Sequence, residues 1–202
     1  MGKDSFNEND FTKEKVTINI IWANIFGLVV LIIVAILFGI PFYLLWHEKY
    51  VNVEIYNPVM NLFDRIKIIG LYLLIFILLT IMHELIHGIS FAMFSQNKFR
   101  SIKIGILPAQ KLFTPYCHCM EKLKIKHYRI AAVMPLIILG IIPTIISICI
   151  GNITLLFWGI ILIVVAGGDI LIIYKTLKEK EDVWVFDHPS EAGYFIYRPI
   201  NK

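Results

Sequence analysis

His83, Glu84 and His87 stand together in the stretch TIMHELIHGIS, residues 80–90, with no lysine or arginine among them. They spell H-E-x-x-H. On a helix, residues i and i+4 share a face, so both imidazoles can reach one ion. Zinc accepts such nitrogens at roughly 2.0–2.1 Å. Glu84 is offset by about 100° around the axis, which leaves it beside the metal rather than on it. A carboxylate there can take a proton from a water on the metal, whose pKa falls to about 7. Such a site can hydrolyse an amide.

The surroundings sharpen the reading. The chain has 202 residues, 58% of them hydrophobic, well above the share of an ordinary soluble domain, and so reads as a membrane protein. A bare carboxylate at the centre of a spanning helix costs about 2.5–3.5 kcal/mol. A cluster that merely joins helices would carry that cost, whereas a dication offsets it. The net charge of +4 reports basic loops at a membrane surface and points to no nucleic-acid partner. Cys117, Cys119 and Cys149 form an odd set with no disulfide framework. The first polar stretch carries both charge signs, and the apolar segment after it is too long for a signal-peptide core.

Four apolar segments, roughly 20–46, 68–94, 130–150 and 153–174, are each long enough to cross a bilayer. Trp22 and Trp46 sit near the ends of the first as interfacial anchors, and Pro41 is placed to kink its last turns. Gly151-Asn152 alone joins the third to the fourth, which makes those two an antiparallel hairpin. The loop 95–129 holds eight lysines and arginines against the single acid Glu121, so it is expected to be cytoplasmic. Both termini, including the tail 175–202, then share its side. The loop 47–67 carries a balanced set of charges that suits the outer face. The expected fold is an all-α polytopic membrane protein of one domain, with four transmembrane helices and small cytoplasmic β-hairpins.

A catalytic zinc takes three protein ligands and keeps one position open. The third ligand is expected on another span at the same depth. Asp169, the only charge in VVAGGDILIIY, lies about 16 residues into the fourth span, and His83 lies about 15 residues into the second. Both are then about 23 Å from the outer face. Gly167 and Gly168 permit close helix approach or local unwinding just before it.

His83-Glu84-Leu85-Ile86-His87-Gly88 in one span, with Gly168-Asp169 in a later one, resembles the site-two-protease type of intramembrane zinc metalloprotease. With PYCHCMEKLKIKHYRIAAVMP and DHPSEAGYFIY added, the pattern is more similar to a small bacterial family of putative zincin peptidases. The likeness covers about residues 70–197. It implies His83, His87 and Asp169 as metal ligands, Glu84 as the catalytic glutamate, and a bacterial multi-pass membrane protein. Site-two proteases usually carry Leu-Asp-Gly at the aspartate; here it is Gly-Asp-Ile, which fits the smaller family.

Around the site, residues 101–106 and 111–118 alternate polar and apolar on either side of Pro108-Ala109-Gln110, which predicts a β-hairpin. An exposed strand edge there could hold an extended peptide by main-chain hydrogen bonds. In Cys117-His118-Cys119 the two cysteines share a strand face and His118 points away, too few ligands for a second zinc site. Glu121 and His127 are expected at the solvated surface. The runs 183–186 and 194–197 flank the turn-forming DHPSEAG, a second hairpin able to cover the mouth of the site. Asp187 and His188 could approach the metal from it.

The expected function is hydrolysis of peptide bonds in membrane-anchored substrates. The rival is a non-catalytic membrane protein, either a metal carrier or a regulatory scaffold. A carrier would show polar groups at several depths along a route, but here they cluster at one level. A scaffold needs no Glu84. A protease of soluble substrates is a closer rival, against which the lack of a large soluble domain speaks. Substrate identity and oligomeric state are not legible.

Overall fold

The computed structural model describes residues 6–51, 61–109, 112–189, 191 and 193–200, without side chains at 20–21 and 106–114. Glu54 of the outer loop, Gln110 and Lys111 of the first hairpin, and Ser190 and Ala192 of the second turn lie outside the described residues. In chain order the elements are β1 (Phe11–Thr17), α1 (Ile20–Val51), α2 (Leu62–Phe94), β2 (Ile102–Ala109), β3 (Leu112–Cys119) and β4 (Leu123–Lys124). There follow α3 (Ile125–Pro135), α4 (Ile142–Ile150), α5 (Ile153–Val165), α6 (Gly167–Thr176), β5 (Trp184–Asp187) and β6 (Gly193–Pro199). The chain is mostly helical, with small antiparallel sheets.

Among the described residues, three helices are long and apolar enough to cross a membrane: Trp22–Val51, Leu62–Phe94 and Ile125–Ile150. α1 continues through Pro41. The third includes a π-helical stretch, Leu136–Ile141, which begins where Pro135 interrupts the ordinary ladder. The fourth apolar segment is two helices, α5 and α6, with a bend of 47° between them. Its break lies at Ala166, just before Gly167-Gly168, the least helix-favouring pair in that run.

Two contact-dense units divide the chain. One comprises 24–83 and 135–168, whose regular elements among the described residues are helices. Small residues let its backbones approach. A Cβ at Gly159 would meet Thr144 Oγ1 at 2.2 Å, and one at Gly140 would meet Ile163 Cγ1 at 2.7 Å. Buried Thr144 and Ser147 turn their hydroxyls onto carbonyls of their own helix turns, Gly140 O at 2.7 Å and Thr144 O at 2.6 Å. Gly151 adopts φ 65° to end α4, and Asn152 caps α5 by accepting from Leu155 N. The expected hairpin forms there. Trp46 Nε1 donates to Ile148 O at 2.8 Å, while Lys49 Nζ and Tyr50 OH each donate to Gly151 O at 2.8 Å.

The other unit comprises 1–23, 84–134 and 169–202. It holds a four-stranded antiparallel sheet in the order β1-β6-β5-β4 and a separate β2-β3 hairpin. Its core is Phe91, Cys119, Leu123, Ile125, Tyr128, Ala131, Val183, Val185, Tyr194 and Ile196. Both expected hairpins are present, although in the first Pro108 and Ala109 of the expected turn are paired within β2, with Phe113 and Leu112. The expectation of an all-α protein with isolated hairpins is corrected on one point. β1 pairs with β6 from Phe11↔Pro199 to Thr17↔Gly193 and turns the second hairpin into part of a larger sheet. β1 reads FTKEKVT and is largely exposed, so it lacks the apolar alternation by which a strand is recognised. Glu121 also does more than face solvent: it accepts from the main-chain N–H groups of Gln96 and Asn97, where the chain leaves α2.

Candidate metal centre

The site is assembled on the last third of α2. One turn separates His83 from His87, and both are buried, while Glu84 between them is half-buried. Gly88 follows directly. A Cβ there would lie 3.4 Å from Cys117 Sγ and from Ile102 Cγ2, about van der Waals contact, so the β2-β3 hairpin lies directly against the motif helix.

α6 brings the acid. Asp169 occupies its first turn, where a carboxylate suits the positive end of the helix dipole. Its Oδ2 lies 3.2 Å from His87 Nε2, with side chains only 19% and 7% exposed. The other ring nitrogen of His87, Nδ1, faces Ala131 O at 3.3 Å. A donated hydrogen bond to that carbonyl fixes the tautomer in which Nε2 carries the lone pair that a metal ion requires. Phe91 stacks on the ring from one turn later, with centroids 6.0 Å apart.

Among the described residues, one group of histidine, cysteine and acid side chains has metal-holding proximity: His83, His87 and Asp169, whose ligand atoms all lie within 4.8 Å of one another. A tetrahedral ion with ligands at roughly 2.0–2.1 Å separates neighbouring donor atoms by roughly 3.3–3.4 Å. The 3.2 Å between His87 and Asp169 is close to that spacing. Two imidazoles and a carboxylate, with a second carboxylate beside them, suit a zinc centre that keeps an open position. The donor set therefore fits zinc.

A cleft of about 200 Å³ opens on these residues. Glu84, His87 and Asp169 line it together with Pro115, Tyr116, Cys117 and His118 of β3, and with Tyr128 and Asp187. Burial pushes the Cys117 and Cys119 thiols up to about 12, so both stay protonated at neutral pH. His118 is pushed down to about 4 by burial, with the His188 and Lys103 charges adding to it. It is thus a neutral, half-buried ring in the cleft wall, between buried Cys117 and Cys119.

Asp187 is where the second hairpin reaches this cleft. It accepts from Tyr128 OH at 2.7 Å and from the Cys119 N–H at 2.8 Å, and is 6% exposed. Burial raises its carboxyl to about 6 against the pull of those two hydrogen bonds. His188 instead closes its own turn, accepting from Glu191 N at 3.0 Å. Tyr128 was not singled out from the sequence. Asp187 carries a readable signal: Val183, Val185 and Asp187 share one face of the strand, so an acid stands where the alternation calls for an apolar residue.

A protein-family model described as "Putative zincin peptidase" matches residues 76–184, more than half of the chain. No curated protein and no solved structure matches it.

Proposed function

Since the chain belongs to the putative zincin peptidase family, we propose that it is a membrane-embedded zinc peptidase acting on peptide bonds of membrane-associated substrates. His83, His87 and Asp169 hold the metal and Glu84 is the general base. The observation that carries this reading is the meeting of His87 Nε2 and Asp169 Oδ2 at 3.2 Å, one turn from His83, at the wall of a cleft that Glu84 also lines.

Bound zinc supplies a Lewis acid that polarises a carbonyl and acidifies water. Glu84 takes the proton from the attacking water and delivers it to the leaving amine, the two transfers that amide hydrolysis requires. His87 is held in one tautomer by Ala131 O, so its orientation does not change as charge develops.

β3 provides a place for the substrate main chain. Met120 N donates to Ser101 O at 2.7 Å, and residues 101 and 120 stand opposite each other in the β2-β3 register. Alternation then directs the main-chain groups of residues 116 and 118 toward β2 and those of Pro115, Cys117 and Cys119 to the other edge. Pro115 and Cys117 line the cleft. A substrate in extended form can pair along that edge, which keeps its amides out of a helix and open to attack.

The sheet supports four crossings. β1 precedes α1, β4 lies between α2 and α3, and β5 and β6 follow α6, yet all four strands share one sheet. Strands of one sheet lie on one side of a bilayer, so the chain crosses an even number of times between them. α1 and α2 make two crossings; the α3–α4 segment and the bent α5–α6 pair, taken as one span, make the other two. The excess of lysine and arginine in 95–129 puts that side in the cytoplasm.

Replacement of Glu84 by Gln tests the mechanism. Cleavage of a membrane-anchored peptide should fall by about 10²–10⁴-fold while zinc content stays that of the parent protein. Undiminished cleavage would remove Glu84 from the chemistry.

A further inference from the structure

We propose that Asp187 is a positioning residue that ends the substrate-pairing edge of β3 and thereby selects which peptide bond is presented to Glu84. The inference rests on the peptidase reading above and concerns a residue outside the matched 76–184. Three elements converge on this one carboxylate. It belongs to β5, it takes Tyr128 OH from α3 at 2.7 Å, and it takes the Cys119 N–H from β3 at 2.8 Å.

The last of these bonds is informative. Cys119 N–H is one of the main-chain groups that alternation directs away from β2, on the same edge as Cys117 and Pro115. Asp187 therefore occupies the position where a third strand would otherwise continue. Because Asp187 also lines the cleft, this edge is the one that faces it. Within the cleft, what remains is short. Cys117 offers both N–H and C=O, and Pro115 offers C=O only, because proline has no N–H. A substrate strand can then pair beside Cys117 and Pro115 but cannot advance past Asp187. A strand that slips must move by two residues to keep its side chains on the same faces. A stop at Cys119 forbids that slip toward Cys119 and so limits the register on that side.

The experiment uses the full-length zinc-loaded protein in lipid vesicles and a membrane-anchored peptide, with products read by mass. The parent protein should give one main cut. Asp187→Ala should add a second product displaced by two residues, rising from trace to within about tenfold of the first, the scale of one hydrogen bond gained. Asp187→Asn keeps a carbonyl acceptor for the Cys119 N–H and should restore the single cut. A purely structural role would slow Asp187→Ala without moving the cut, and that outcome overturns the inference.

Should Asp187→Ala fail to fold or to retain zinc, a scan on the parent protein decides. Single ester-for-amide replacements along the peptide should lower kcat/KM by about five- to tenfold at two alternate residues, those donating to Cys117 O and Pro115 O. A third sensitive residue next in the series on the Cys119 side, or an absence of alternation, would refute the stop. A parent protein that leaves the peptide intact would refute the peptidase reading and this inference together, a result distinct from either of those.

Discussion

The helical unit of 24–83 and 135–168 and the unit that carries the sheet handle buried polarity in opposite ways. In the first, buried Thr144 and Ser147 bond to carbonyls of their own helix turns and ask nothing of distant residues. In the second, the buried polar groups that line the cleft bond across elements: His87 on α2 to Ala131 O on α3, and Asp187 on β5 to α3 and β3. Local satisfaction suits a unit whose helices present apolar surface such as Ile32, Leu37 and Leu73 outward. Long-range satisfaction is conditional on every partner being in place. It can hold a reactive geometry, and it is the part of the molecule that single substitutions disarm most readily.

That contrast can be broken in order of size. Asp169→Ala should lower zinc affinity by at least about a hundredfold, more than losing an outer-shell partner costs, as measured by chelator competition. Thermal unfolding of the metal-free form should hardly move. Gly159→Val acts the other way. Its added carbons collide with Thr144, which should destabilise the protein by about 1–3 kcal/mol in denaturant titration while the zinc affinity of folded molecules is retained. A loss of metal affinity in that variant would show that the two units are not separable in this respect.

Trp46→Phe removes the donor to Ile148 O and should cost about 1 kcal/mol. The smallest effect sharpens the comparison through pH. His118 titrates near 6.5 when unfolded and near 4 in the cleft wall, so the unfolded chain binds the extra proton first. Stability is then lost as pH falls from 6.5 toward about 4. His118→Gln should flatten that limb, measured as melting temperature against pH.

The two units also differ in how far they could be read from residues alone. The spans announce themselves by length and apolarity, and Gly151-Asn152 forms the tight connection its brevity requires. H-E-x-x-H is legible because one helix turn carries it. Asp169 could be matched to His83 only by counting residues inward, an argument about depth and not about contact. β1 was hidden because its partner lies far along the chain, Lys13 facing Tyr197, and because its own side chains are mostly exposed. The break at Ala166 was signalled by the glycine pair, but nothing in the residues distinguished a bend there from close helix packing. Tyr128 had no signal beyond its helical phase, since its importance comes from an acid on a different hairpin.

The pairing of β1 with β6 has a consequence for biosynthesis. β1, which precedes α1 in the chain, can pair only after its neighbour β6 has left the ribosome, roughly 180 residues later. Closure of the sheet is therefore a late event, and a ribosome stalled partway would leave the nascent chain without Asp187 and Gly193, which β5 and β6 bring to the cleft wall. Such timing leaves the cleft wall unfinished for as long as the C-terminal hairpin is unmade.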